Sequence, residues 1–202
     1  MTKLIVFPAL LVCVVLSLGA CAGTSSPSKF YLLTPVVEEK APGDRSKNLA
    51  IGIGPIEMPA YLDRPQIVSR TGSNSLKVDE FHRWAEPLKD SFTRALVQNI
   101  SSLLSTDYVF VYPWQLFNQV DYRAILSVSR FDRDAAGRVI LKARWVVSKG
   151  REEGRDSSFV ARESSISQAV AGEDYDSVAA AMSAAVGTLS REIAQVVITL
   201  EQ

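Results

Sequence analysis

Histidine and cysteine are nearly absent from this chain: His82 is the one histidine, and both cysteines, Cys13 and Cys21, fall close to the start. A zinc or copper site would have to be built almost entirely from carboxylates, which is not the usual ligand set for either metal. A serine triad would need His82 as its base, yet no Gly-x-Ser-x-Gly elbow is present. Excess charge of either sign is missing too. The 22 basic residues meet 22 acidic ones, so nothing draws the chain to nucleic acid or an anionic surface in general. Ile51-Gly52-Ile53-Gly54-Pro55 has glycine spacing but lacks the third glycine and the Lys-Ser/Thr ending of a phosphate loop, and Pro55 removes a backbone donor. These absences point away from catalysis; neither a cofactor nor a metal is expected.

What is present starts at the N-terminus. Lys3 precedes an apolar stretch from Leu4 that closes in Leu18-Gly19-Ala20-Cys21. A cation, a short apolar segment and small residues make a secretory signal peptide, and the segment is too short to be read first as a membrane span. The run into cysteine resembles the bacterial lipobox. That resemblance implies removal of residues 1–20, acylation of Cys21 by palmitate-type chains, and a new N-terminus there, held to a membrane at about 0.8 kcal/mol per buried CH₂. A plain cut near Ala20 or an uncleaved anchor is the alternative. With Cys13 removed and Cys21 acylated, the exported domain has no disulfide despite an oxidising compartment. Ala22, not aspartate, follows Cys21; by resemblance to enteric-type sorting this implies the outer membrane, with the folded part facing the periplasm.

Residues 21–28 read as a lipidated tether, small, polar and broken by Pro27, and 29–202 as a single domain. Strands are expected over Lys29 to Val36, Leu49 to Ile56, Gln66 to Arg70, Ser75 to Val78, Tyr108 to Val111, Asp121 to Phe131 and Ser158 to Ser167. In the strand after the Asp132–Gly137 turn, Val139, Leu141, Ala143, Trp145 and Val147 share one face. The glycines of Ile51–Pro55 predict a bulge or a close backbone approach. Leu88, Phe92, Leu96, Ile100 and Leu103 make one face of a helix opened by Glu86-Pro87. Val178, Met182, Ala185, Leu189, Ile193, Val196 and Leu200 do the same for a last helix capped by Asp174 or Asp176. The fold expected is α+β: a mainly antiparallel sheet of about seven or eight strands with two helices packed on one face.

Two blocks exceed what local structure needs. Pro59-Ala60-Tyr61-Leu62-Asp63-Arg64-Pro65-Gln66-Ile67-Val68 and Phe81-His82-Arg83-Trp84-Ala85-Glu86-Pro87-Leu88 closely resemble the signature of the PqiC/YmbA family, the ABC-type transport auxiliary lipoproteins. Phe30-Tyr31-Leu32-Leu33, Tyr112-Pro113-Trp114 and Ala143-Arg144-Trp145 follow the same resemblance in the same order. It implies a lipoprotein without catalysis, working with an MCE-domain protein of PqiB type and an inner-membrane component to move lipid between membranes or keep the envelope intact. It also implies a ring-shaped homo-oligomer.

Read physically, Asp63-Arg64 can form an ion pair closing a loop, with Tyr61 and Trp84 packed beneath; the plainer meaning is that both blocks fasten a long connection onto the following helix. Tyr61, Leu62, Asp63, Arg64, Gln66 and Trp84 are the candidate partner-binding residues, and Cys21 the lipidation site. Trp114 and Trp145 read as core. Two other functions compete: a structural envelope lipoprotein, and a periplasmic carrier with a lipid ligand, which would need an apolar cavity to enclose an acyl chain.

Overall fold

The computed structural model describes residues 26–36, 49–113, 120–150 and 158–201. The signal peptide, Cys21, most of the tether, Trp114 and the charged segments around 38–47 and 151–156 lie outside the described residues. Within them, one eight-stranded sheet carries two α-helices: β1 Lys29–Tyr31, β2 Ile51–Glu57, β3 Gln66–Arg70, β4 Leu76–Trp84, α1 Leu88–Leu104, β5 Val109–Val111, β6 Tyr122–Arg133, β7 Arg138–Lys149, β8 Phe159–Ala169 and α2 Tyr175–Glu201.

The backbone of the sheet is the antiparallel meander β6–β7–β8. Val139, Leu141, Ala143, Trp145 and Val147 are buried along β7, and Tyr122, Ala124, Leu126 and Val128 along β6. The period of two puts these apolar rows on one face, where register slippage would be costly. Gly137 turns the hairpin at φ +79°, a conformation glycine adopts without strain. The other edge of β6 is shared: β2 runs parallel to its first half, with β5 parallel beyond it, and β3 touches its end at Ser69–Arg133. β3 pairs antiparallel with β4, and β1 parallel with β4. Antiparallel pairing therefore dominates by length, and parallel links attach the short strands. The glycine-rich stretch of β2 holds both expected features: a register shift between Ile53 and Ile56, and Gly54 at φ +108°, where a Cβ would stand 3.0 Å from Tyr112 Cβ.

Both helices cover the same face, α2 over β6, β7 and β8 and α1 beside β2 and β5, and they pack on each other. Their expected stripes are the buried ones, except that Leu103 and Leu200 are only half buried. Asp174 caps α2, accepting from Ser177 N–H at 2.7 Å.

Three local expectations change. The first strand stops at Tyr31, because the amides of Leu33, Thr34 and Val36 are taken instead by Ser91 Oγ at 2.9 Å, Ser183 Oγ at 3.1 Å and Asn99 Oδ1 at 2.9 Å. This segment is a strap across both helices, and their buried polar side chains exist to hold it. β4 runs on from Val78 to Trp84, so the first half of the second signature block is strand and only residues 85–87 connect it to α1. Asp132, expected in a turn, is inside β6 and fully buried.

Candidate functional site

The first signature block folds as a 3-10 turn, Ala60–Leu62, between β2 and β3. Pro59 O accepts from Leu62 N–H at 3.0 Å and Ala60 O from Asp63 N–H at 3.1 Å. Leu62 drops into the core, while Tyr61 reaches sideways and its hydroxyl donates to Asp132 Oδ2 at 2.8 Å. Asp132 is a buried carboxylate held by cations, with Arg70 Nε 3.0 Å from Oδ2 and Arg130 Nε 2.9 Å from Oδ1. Only such pairing makes a buried charge tolerable. The Arg70 guanidinium also lies over the Tyr61 ring, 5.5 Å from its centroid. Burial first, and then the bond to Asp132, push the Tyr61 hydroxyl above its ordinary pKa.

The other end of the loop is fixed by the second block. Trp84 N–H donates to Pro65 O at 2.6 Å and the Trp84 side chain lies in the core. Gln66 sits opposite Arg83, and its amide donates to Glu80 Oε2 at 3.3 Å. Tyr61, Leu62 and Trp84 are thus anchors, and Gln66 is half buried. Asp63 and Arg64 form the exposed tip with Pro65. No ion pair joins Asp63 to Arg64 among the described residues, so the loop is closed by Asp132, Pro65 and the core. Tyr61 is engaged by Asp132 and Arg70 at the margin of the core.

One open groove runs beside the tip and a second adjoins it. One, of about 510 Å³, runs past Met58, Leu62, Asp63 and Leu88. The other, of about 670 Å³, lies between edge strand β5 and α1 and is lined by Ile53, Pro55, Val97, Val111 and Tyr112; Ile56 and Lys89 border both.

A second cluster escaped the sequence. Tyr31 Oη and His82 Nδ1 are hydrogen-bonded at 2.8 Å, His82 stacks on Tyr175 with centroids 4.1 Å apart, and Tyr175 Oη donates to Asp79 Oδ2 at 2.9 Å. It joins β1, β4 and the start of α2. Tyr175 and Asp79 are 96 residues apart, and nothing in either neighbourhood signals the other. Burial, followed by the bond to Asp79, raises the Tyr175 pKa to about 12. Burial alone would raise the Asp79 carboxyl, but the Tyr175 hydroxyl, the amides of Phe81 and His82 and the charge of His82 together hold it below its usual value.

Among the described residues, no group of three or more His, Cys, Asp or Glu is placed to hold a metal ion, and no helix is long and apolar enough to cross a membrane. Fold and site together define an α+β domain in which a loop anchored by Tyr61, Leu62 and Trp84 leaves a charged tip exposed beside a groove. The chain belongs to the family of ABC-type transport auxiliary lipoprotein components, which it matches over residues 31–194. That is not an enzyme family. Its fold is similar to that of an uncharacterized protein of known crystal structure, at TM-score 0.68 and 19% identity, covering 85% of this chain and 99% of the other. It is also similar to the Xanthomonas campestris protein XCC0632, of the family DUF330, at TM-score 0.61 and 18% identity, covering 83% and 93%. No functionally curated protein matches the chain.

Proposed function

We propose that this protein is the accessory lipoprotein of an MCE-type intermembrane lipid transport or membrane-integrity system. Cys21 carries the lipid anchor in the outer membrane, residues 21–28 are the tether, and the domain from 29 onward works in the periplasm, where it meets an MCE-domain protein of PqiB type and other copies of itself. Family membership over nearly the whole domain supports the transport role. The observation that carries the site is the contrast within one loop: Tyr61 and Leu62 are locked down, while Asp63 and Arg64 face solvent without a side-chain partner among the described residues. A loop held rigid with its tip charges unspent loses little entropy on docking, and loops on rigid scaffolds are where binding is commonly placed.

The test is copurification of the tagged protein with the MCE subunit from membranes, in parent and Arg64→Ala forms. Arg64→Ala should lose partner capture or subunit assembly with thermal unfolding unchanged. Parent-level capture by Arg64→Ala would make the block a clasp only and put the interface elsewhere.

A further inference from the structure

The sheet has a second face, the one without helices, and cross-strand register organises it. Ile125 of β6, Val146 of β7 and Ala161 of β8 lie side by side, since Ile125 pairs with Val146 and Val146 with Ala161. One two-residue step along the strands, Glu57 of β2 pairs with Ser127, Ser127 with Arg144, and Arg144 with Glu163. An apolar row therefore runs parallel to a row that reads acid, serine, arginine, acid. A groove of about 470 Å³ follows them across β2, β6, β7 and β8, with Pro55 at its β2 end. Glu57, Arg144 and Glu163 are exposed, and none has an ion-pair or hydrogen-bond partner for its side chain among the described residues.

We propose that this face docks an amphipathic helix of another protein, laid across the four strands with its apolar stripe on Ile125, Val146 and Ala161. Charge complementarity fixes its chemistry. A cation belongs over Glu57, an anion over Arg144 and a cation over Glu163. Three strand spacings make about 14 Å, the rise of roughly nine or ten helical residues. The flanking series is then a basic residue, an acidic one about six or seven positions on, and a basic one about three beyond that. A second copy of this chain fits less well: rows apposed about a two-fold axis parallel to the strands set Glu57 against Glu163, acid on acid. An acyl chain fills the apolar row but leaves the three charges unmet. The inference stands apart from the partner assigned to the Arg64 loop.

The experiment uses the full lipidated chain in nanodiscs, with empty nanodiscs as blank, and two labelled helical peptides sharing a leucine stripe. One is flanked by lysine, glutamate and lysine at those spacings, and the other has the three charges reversed. The parent should bind the first peptide roughly tenfold or more tighter than the second, a preference of about 1.4 kcal/mol. The triple exchange Glu57→Lys, Arg144→Glu and Glu163→Lys, confined to exposed positions, should reverse the preference, and Val146→Asp should weaken both. Equal affinity for the two peptides, binding of neither, or an unreversed preference in the triple variant overturns the proposal. So does self-association that Val146→Asp abolishes, which would assign the face to a second copy, or competition by phosphatidylglycerol micelles with no charge preference, which would assign it to lipid.

Discussion

Trp145 is 1% exposed, and its indole Nε1 donates to Ser164 Oγ at 2.7 Å; that hydroxyl in turn donates to the Glu192 carboxylate of α2. One side chain therefore fills the core between β7 and α2 and keeps a buried hydroxyl satisfied. Trp145→Ala should destabilise the protein by about 3–5 kcal/mol, the usual cost of deleting a large buried aromatic, whereas Lys142→Ala, on the exposed face of the same strand, should change it by less than about 0.5 kcal/mol. Denaturant unfolding of both variants checks this, and a cost under about 1 kcal/mol at Trp145 would refute it. Asp132 has the converse character, a charge where apolar packing would be cheaper. Its use is geometric. Tyr61→Phe deletes the hydroxyl that donates to Asp132 Oδ2 but leaves Arg70 and Arg130 on the carboxylate, so it should cost about 0.5–1.5 kcal/mol. Arg64→Ala, at the exposed tip, should stay within about 0.5 kcal/mol of the parent. A Tyr61→Phe variant as stable as its parent would show that Leu62 and Trp84 hold the loop without it.

The elements meet most tellingly where β4 joins the start of α2. Asp79 is held below its ordinary 3.8 and Tyr175 is raised from 10.0 to about 12, so their link contributes stability between two limits. A depressed carboxyl contributes above its unfolded value and loses that contribution as pH falls through the folded one, so the acid limb lies below about pH 4. A raised phenol contributes fully below 10 and loses it as pH climbs from 10 towards 12. Stability against pH should fall on both sides for the parent, and both limbs should be shallower for Tyr175→Phe; superimposable limbs would mean the link carries no linkage. None of this pairing was legible beforehand. The β6–β7–β8 meander and both helices were, because Val139 to Val147 alternate strictly and Leu88 to Ile100 keep helical spacing, and those are local patterns. β4 is hard to follow past Val78 in the sequence because Asp79 and Glu80 are followed by Phe81, an apolar residue on the exposed side, so no apolar–polar alternation marks the strand. The strap at Leu33–Val36 looked like a strand because its partners, Ser91, Asn99 and Ser183, are distant polar residues that no period marks. An excess of specific residues singles out Tyr61, Leu62 and Trp84, but the partner of Tyr61, Asp132, has the sequence surroundings of a turn.

At the scale of the whole molecule, anchor and core depend on different chemistry. Among the described residues the apolar core runs from Tyr31 and Leu33 to α2, and the segment 22–28 is small, polar and interrupted by Pro27, a composition that links without packing. The domain should therefore not need its lipid to fold, while attachment, on the role proposed for Cys21, should be lost without it. Cys21→Ser, exported behind a cleavable signal that does not direct lipidation, should leave the membrane fraction for the soluble periplasmic one and unfold at the parent's temperature within about 2 °C, the shift expected for under about 0.5 kcal/mol. The stability readout separates the two ways of leaving a membrane, loss of anchor and loss of fold. If the variant still sediments with membranes, acylation is not the principal attachment, and the exposed Phe30, Phe81 and Tyr112 become the next residues to test as contacts with the bilayer or with a membrane partner.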